Sequence, residues 1–318
     1  MQENVDLRPM IELRRLHRYF GWTRAVDDVS FTVRPGEVFG YIGPNGAGKT
    51  TSMRILATLD LPNAGDAMID GFSVVNDPDR VRRRLGFMPD YFGTYPNVDV
   101  REYLDFFARS YQLRQQERKD AVERVMDFTG LDVLAEKSTK GLSKGMKQRL
   151  CLGRALIHDP AVLVLDEPAA GLDPRARIEL RAMIRKLADD GKAILISSHI
   201  LTELAEICDM VGIIERGQLL AVGTVEQIQQ KGRKQHNTVE VRVIGGAGNL
   251  GDWLAKNGDA EGIQLAGDTV RFVHAGDLEA EAALLRSIIE AGFRVVAFGS
   301  QQQTLEDVFM QVTEGLVQ

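Results

Sequence analysis

Hydrophobic and polar positions in the first part of the chain predict short strands followed by a helix. Between about Met10 and Pro35 apolar and polar residues alternate, which is typical of strands with one buried face. Residues 29–33 form the clearest such strand, and a Pro-Gly turn follows it. Residues 37–42, which are apolar after Glu37, predict a further strand, and residues 51–59 predict a helix.

Helical spacing and a second strand–helix alternation fill the middle of the chain. Apolar residues recur at helical spacing from residue 99 to 130, which predicts two helices there. The runs at residues 162–165 and 193–196 are apolar throughout, with a helix predicted after Pro174. Strands that are apolar on both faces and alternate with helices indicate a parallel sheet covered on two sides. The sequence therefore predicts an α/β domain.

A polar, weakly basic stretch at residues 229–237 predicts a boundary between two domains. We expect a domain at residues 10–230, a linker at 231–238 and an accessory α+β domain at 239–318. The pattern in the last segment is βαββαβ with an extra helix from Thr304, which is typical of a ferredoxin-like module. That segment holds no cluster of catalytic residue types.

One octapeptide carries the most specific chemistry. It has the form G-x-x-x-x-G-K-[ST], in which glycines let backbone N–H groups face a polyphosphate. Its lysine reaches the β- and γ-phosphates, its threonine hydroxyl holds Mg²⁺, and the following helix directs its positive end at the phosphates. A nucleoside triphosphate is the predicted ligand. The candidate nucleotide-binding residues are Gly43, Pro44, Asn45, Gly46, Ala47, Gly48, Lys49, Thr50 and Thr51.

Two adjacent carboxylates follow the strand at residues 162–165. Ligands of open α/β sheets collect at the carboxyl ends of the strands, where Asp166 and Glu167 stand. Asp166 is the expected Mg²⁺ ligand, together with Thr50. Glu167 is the expected base that orients and deprotonates a water. Alone, such a pair could equally belong to an ordinary loop, but its combination with the phosphate loop favours catalysis.

Composition narrows the partners. The formal net charge of −6 argues against broad nucleic-acid binding, which usually shows a basic face. The two cysteines, Cys151 and Cys208, lie far apart without metal-ligand spacing and suit a reducing cytosol. No apolar run has the length of a membrane span, about 18 residues, and the N-terminus lacks a signal-peptide pattern. We therefore expect another chain to supply any membrane function.

Further motifs around the carboxylate pair indicate a resemblance to one protein family. Residues 141–150 read GLSKGMKQRL upstream of Asp166, and Ala-Gly-Leu-Asp173 and Ser-Ser-His199 lie downstream. From residue 10 to about 228 the series resembles the ATP-binding cassette (ABC) ATPases, the nucleotide-binding subunits of ABC transporters. The resemblance implies a cassette with a parallel-sheet core, an antiparallel β subdomain and a helical subdomain. It also implies a head-to-tail homodimer that buries two ATP molecules.

The resemblance assigns further residues. Ser143 and Gly145 match the signature positions that contact the γ-phosphate across the dimer, at a helix N-terminus that favours anions. His199 matches the catalytic switch histidine near Glu167. Phe20 matches the aromatic that stacks on adenine, although a core aromatic is the alternative.

Two departures from the family pattern remain open. Lys144 replaces a signature glycine, and its amine either lies near the phosphate of the opposite subunit or points to solvent. Asp90 stands where the family carries glutamine. It either coordinates Mg²⁺ as a third acid, or faces solvent and caps its loop.

The sequence therefore predicts the ATP-hydrolysing subunit of an ABC transporter, with ATP and Mg²⁺ as cofactors. The C-terminal tail and the departures resemble exporter subunits. We expect a separate transmembrane permease as partner, an ATP-dependent homodimer, no nucleic acid, and a peripheral position on the cytoplasmic face of the cell membrane. The alternative is a soluble ABC ATPase that acts on ribosomes or DNA, but those members carry a second cassette or long insertions. A degenerate cassette would lack Glu167 or His199.

Overall fold

The computed structural model describes residues 8–91, 93, 95, 97–198, 206–231, 236–257, 260–276 and 278–301. The chain divides into two compact units, residues 1–225 and 226–318. The first strand of the C-terminal unit begins its pairing at His236, inside the segment expected to be a linker. The helix expected from Thr304 lies outside the described residues.

Unit 1 contains a four-stranded antiparallel sheet with strand order β2-β1-β4-β5. The sequence showed only the end of β2, at residues 29–33, because the earlier part of that strand is charged and partly exposed. The strands are β1 (Ile11–Phe20), β2 (Thr23–Val33), β4 (Ala64–Ile69) and β5 (Phe72–Ser73).

The second sheet of unit 1 has six strands in the order β10-β9-β3-β8-β7-β6. Five of these strands run parallel and form four parallel pairs, as expected for a parallel sheet, whereas β10 pairs antiparallel with β9 at one edge. Strands β3, β7 and β8 are buried throughout, so their carboxyl ends form a fixed platform. The strands are β3 (Val38–Ile42), β6 (Leu85–Met88), β7 (Val162–Leu165), β8 (Ala193–Ser198), β9 (Met210–Glu215) and β10 (Gln218–Gly223).

The helices of unit 1 follow the predicted periodicity. A capping box between Asp99 and Glu102 starts α3, and α3, α4 and α5 pack against one another. Helix α1 begins at Lys49 and ends at Leu56, earlier at both ends than predicted, because Gly48 caps it in a left-handed conformation and Thr58 has a φ of +59°. The helices are α1 (Lys49–Leu56), α2 (Pro78–Arg84), α3 (Val100–Ser110), α4 (Gln115–Thr129), α5 (Lys144–Leu156) and α6 (Pro174–Asp189).

Unit 2 has the topology that the βαββαβ pattern predicted. Its four strands are all antiparallel, in the order β12-β13-β11-β14, which is the ferredoxin-like arrangement. Alternate residues such as Val241 and Phe272 join the two main helices in one apolar core. The elements are α7 (Val225–Lys231), β11 (His236–Val243), α8 (Ala247–Asn257), β12 (Glu261–Ala266), β13 (Thr269–Ala275), α9 (Leu278–Glu290) and β14 (Val295–Gln301).

Candidate nucleotide-binding and catalytic site

The phosphate loop lies between the buried strand β3 and helix α1. Gly48 has a φ of +108°, and a Cβ there would lie 2.2 Å from the carbonyl oxygen of Ala25 in β2. A Cβ on Gly43 would lie 2.2 Å from the carbonyl oxygen of Ile214 in β9. Only glycine fits either place, since the opposing atoms are backbone. The loop is therefore fixed between β2 and β9, and the first turn of α1 offers backbone N–H groups that have no intrahelical partner.

Lys49 lies at the centre of the loop with only 5% of its surface exposed. Its Nζ donates to the carbonyl oxygens of Gly43, at 2.6 Å, and Pro44, at 3.2 Å. The same Nζ lies 3.6 Å from Oε1 of Glu167. Burial lowers the pKa of Lys49, while the charges of Glu167 and Asp166 oppose that shift. The amine therefore lies between the loop carbonyls and the candidate base.

Asp166 and Glu167 stand at the carboxyl end of β7, as predicted. Ser197, at the end of β8, donates a 2.6 Å hydrogen bond to Oδ1 of Asp166. The Oγ of Ser197 also accepts the backbone N–H of Glu167 at 2.8 Å. One hydroxyl thus fixes both acidic residues. Sequence reasoning assigned no role to Ser197, although its position beside the expected His199 at a strand end was a usable signal.

The backbone of Glu167 is strained. Its φ of +48° lies in the left-handed region, which is uncommon for a residue with a side chain. The surrounding contacts maintain that conformation, and such strain is concentrated at functional sites. Here the consequence is geometric, because the turn directs the Glu167 carboxylate toward Lys49.

Asp166 meets the requirements of a cation ligand. It is fully buried, and its Oδ2 has no hydrogen-bond partner among the described residues. Burial raises the pKa of Asp166, the charges of Asp90 and Glu167 raise it further, and the hydroxyls of Ser197 and Thr50 oppose the rise. A buried, unpartnered carboxylate oxygen near the threonine hydroxyl of a phosphate loop fits Mg²⁺, which prefers oxygen ligands.

Asp90 lies in the loop after β6 and is exposed. Its Oδ1 accepts the backbone N–H of Tyr91 at 2.7 Å, so it caps the loop. Its charge nevertheless raises the pKa of Asp166. Within the part of the chain that the structure describes, no three His, Cys, Asp or Glu side chains converge as a metal site. A direct contact of Asp90 with Mg²⁺ therefore stays a prediction.

The signature segment begins helix α5. Ser143 is its N-cap, and its Oγ accepts the backbone N–H of Met146 at 3.3 Å. The amine of Lys144 lies against Gly171, since a Cβ at that glycine would be 2.1 Å from Nζ. A Cβ on Gly145 would lie 3.3 Å from that of Ala176. The start of α5 therefore contacts the loop that follows Glu167. Lys144 is also exposed, in agreement with the solvent alternative, and its place near the phosphate of the opposite subunit stays a prediction.

Two other assignments have different outcomes. Phe20, at the end of β1, is 49% exposed, so it is not the core aromatic that was the alternative. It pairs with Thr23 in the hairpin that continues to Ala25, the residue touching the phosphate loop. His199 lies outside the described residues.

Comparisons with known proteins decide the family. A family model described as ABC transporter matches residues 26–170. The Nod factor export ATP-binding protein I of Ralstonia nicotianae is 33% identical over 317 residues, which cover 97% of this chain and 95% of that protein. The chain belongs to the ATP-binding proteins of ABC transporters. The predicted family is confirmed.

Other comparisons agree with this membership. A model for the C-terminal domain of DrrA1-3-like ATP-binding proteins matches residues 223–313 of this ABC protein. A probable multidrug ABC transporter ATP-binding protein of Escherichia coli is 37% identical over 227 residues, covering 71% of this chain but only 39% of that protein. A solved ATP-binding subunit of an ABC transporter is 29% identical with a TM-score of 0.64, covering 70% of this chain and 92% of that one. The predicted cassette fold is confirmed.

The helices of this ABC protein that the structure describes include none that is both long and apolar enough to span a membrane.

Proposed function

We propose that this chain binds and hydrolyses ATP to power export across a membrane, as the nucleotide-binding subunit of an ABC transporter. The convergence of Lys49, Asp166 and Glu167 carries the proposal, because it combines a polyphosphate ligand, a cation ligand and a base. Export is supported by the relatives, which are described as Nod factor export and multidrug transporter proteins. Neither description supports action on ribosomes or DNA.

ATP binds with its phosphates in the loop of residues 43–51. The phosphates take the backbone N–H groups of the loop and replace the carbonyls of Gly43 and Pro44 as partners of the Lys49 amine. Thr50 and Asp166 would hold Mg²⁺, whose chemistry is to neutralise the charge on the β- and γ-phosphate oxygens. The exposed ring of Phe20 would stack on adenine.

Glu167 would orient a water and accept its proton. Its backbone is held by Ser197 and its left-handed φ, so the carboxylate keeps one direction while the phosphates enter. Lys49 lies 3.6 Å from this carboxylate before the phosphates enter. By its match to the family, His199 would act beside Glu167 on the γ-phosphate.

A second copy of the chain would complete each site. Ser143 is exposed at the N-terminus of a 13-residue helix, where the helix dipole favours an anion. We propose that Ser143 and Gly145 contact the γ-phosphate of the ATP held by the other copy. The homodimer would then form only with ATP.

The membrane assignment rests on family membership. A separate permease would receive this subunit on the cytoplasmic face of the cell membrane, with residues 10–230 as the nucleotide-binding domain and residues 239–318 as the accessory domain. The test is expression with and without a candidate permease encoded by a neighbouring gene. We expect Mg²⁺-dependent ATPase activity, and recovery of the chain in the membrane fraction only with that partner. Equal membrane recovery without the partner, or co-purification with ribosomes, would contradict the proposal.

A further inference from the structure

Arg18 covers one face of the Phe20 ring, the ring that is expected to stack on adenine. Its guanidinium carbon lies 4.5 Å from the ring centroid of Phe20. The two residues alternate on β1, so their side chains leave the same face of the sheet. The ring is still 49% exposed. One face of Phe20 is therefore occupied, and free surface remains for another planar group.

Acidic and amide side chains fix this arrangement relative to the phosphate loop. Nη2 of Arg18 lies 3.8 Å from Oδ1 of Asp60, and Oδ2 of Asp60 accepts a 2.7 Å hydrogen bond from Nε of Arg54. Arg54 belongs to α1, the helix that begins in the phosphate loop. The backbone N–H of Tyr19 donates to Oδ1 of Asn63 at 2.7 Å. The end of the β1–β2 hairpin is thus tied to the helix that carries the phosphate site.

The burial of Arg18 supports stacking as its role. Its side chain is 23% exposed, and within the described part of the chain its Nε is buried without a hydrogen-bond partner. A guanidinium is planar and weakly hydrated, so an aromatic face can replace part of its water. A lysine ammonium is a compact, strongly hydrated charge and replaces this contact incompletely.

We infer that Arg18 is a positioning residue for base recognition: it holds the Phe20 ring so that adenine stacks on the free side. The inference rests on the proposed ATP binding and on the adenine role of Phe20. Arg18 does not touch the nucleotide. It acts by removing the freedom of a half-exposed ring before ATP arrives, which lowers the entropic cost of binding.

Affinities for two probes separate this role from a general charge effect. ATP–Mg²⁺ carries adenine, whereas inorganic tripolyphosphate–Mg²⁺ offers only the phosphates. In the full chain, Arg18→Ala should weaken ATP binding by about three- to tenfold, the usual size of one cation–π contact. Tripolyphosphate binding should not change, and Arg18→Lys should recover part of the loss. Isothermal titration calorimetry measures each affinity.

The control is Arg24→Ala. Arg24 also stacks on an aromatic ring of this hairpin, with its guanidinium carbon 5.9 Å from the centroid of Tyr19. Arg24→Ala therefore removes one positive charge, as Arg18→Ala does. It should leave ATP affinity unchanged. Equal weakening of ATP and tripolyphosphate by Arg18→Ala would overturn the inference, because it would show a charge or folding effect. Unchanged ATP affinity would overturn it too.

A double-mutant cycle with Phe20→Ala separates this inference from the proposed function. Once Phe20 is removed, Arg18→Ala should cause no further loss of ATP affinity. A full additional loss would overturn the positioning role. If Phe20→Ala itself leaves ATP affinity unchanged, the adenine assignment fails and this inference fails with it. If Phe20→Ala weakens ATP binding but Arg18→Ala does not, only the inference about Arg18 fails.

Discussion

Nζ of Lys49 lies 3.6 Å from Oε1 of Glu167, so the lysine that is expected to bind phosphate forms an ion pair with the candidate catalytic base. Both side chains are shielded from solvent, at 6% and 15% exposure, and their attraction is screened less than that of a surface pair. Polyphosphate competes for the same amine. Entry of ATP would therefore exchange the Lys49–Glu167 pair for a Lys49–phosphate contact and leave the carboxylate to a water.

We expect hydrolysis to depend on Glu167. The change Glu167→Gln keeps the shape and removes the base, so it should slow the chemical step by about 10²- to 10⁴-fold while ATP still binds. Single-turnover hydrolysis and a nucleotide titration measure the two effects separately. Near wild-type turnover would show that another group is the base.

Lys49→Ala is the matched variant, since it removes the other member of the ion pair. We expect this variant to lose nucleotide affinity, because the phosphates lose their buried cation. The same titration distinguishes it from Glu167→Gln, which should lose chemistry but keep affinity. If Lys49→Ala kept full ATP affinity, the phosphate-loop assignment would be wrong.

The isolated chain should be mostly monomeric without nucleotide and should dimerise with ATP. Contacts from each phosphate loop through ATP to the opposite Ser143 would supply the affinity, so mass action ties the dimer to ATP concentration. Light scattering of Glu167→Gln should show the mass doubling on addition of ATP–Mg²⁺. A molecular mass that is the same with and without ATP would contradict this prediction. The control is the same experiment on Lys49→Ala, which should not dimerise.

Much of the fold was predictable because strong local patterns agree with the final packing. Strands β3, β7 and β8 are apolar on both faces and are buried on both faces. The order of elements in unit 2 also predicted its ferredoxin-like sheet. The antiparallel edge strand β10 was not predicted. Most of its residues are only half buried, and its pairing with β9 is a tertiary contact that no local pattern shows.

The candidate site was predictable where one short motif defines a local structure. The phosphate loop and the carboxylates after β7 are of this kind. The roles of Ser197 and Lys144 depend on contacts between distant segments: Ser197 connects β8 to both acids, and Lys144 covers Gly171. Local sequence patterns do not show which distant segments meet in the fold, so neither contact was predicted.

His158 should make the stability of unit 1 depend on pH. Its ring stacks on Tyr111 at a centroid distance of 3.7 Å, its Nε2 lies 3.2 Å from the carbonyl oxygen of Leu85, and its Nδ1 is buried without a hydrogen-bond partner among the described residues. Burial lowers the pKa of His158 to about 4 from 6.5. A proton on Nδ1 would have no acceptor there, so the folded chain keeps the ring neutral.

The sign of this pH dependence follows from proton counting. Between about pH 4 and 6.5 the unfolded chain binds more protons at His158 than the folded chain, so stability falls as the pH falls. The full effect, reached below both pKa values, is roughly 3 kcal/mol. His158→Phe keeps the stacking and removes the titration. In urea unfolding at pH 7 and pH 5, the wild-type chain should lose more stability than the variant, and parallel losses would contradict the assignment.

Asp90 affects the candidate metal site even though it caps its own loop. Its carboxylate accepts the N–H of Tyr91, and its charge raises the pKa of Asp166. The negative charge that raises the pKa of Asp166 also favours a cation beside it. The hypothesis is therefore that Asp90 strengthens Mg²⁺ binding, through direct coordination or through its field.

Asp90→Asn tests this hypothesis, since asparagine keeps the shape and can still accept the N–H of Tyr91. We expect roughly three- to tenfold more Mg²⁺ for half-maximal ATPase activity, because one full charge is removed beside Asp166. Nucleotide affinity without metal should change little. Asp90→Glu should restore the Mg²⁺ requirement, whereas Asp79→Asn, which removes the charge of a carboxylate that is 86% exposed, should leave it unchanged. An identical Mg²⁺ titration for Asp90→Asn would leave Asp90 as the cap of its loop and nothing more.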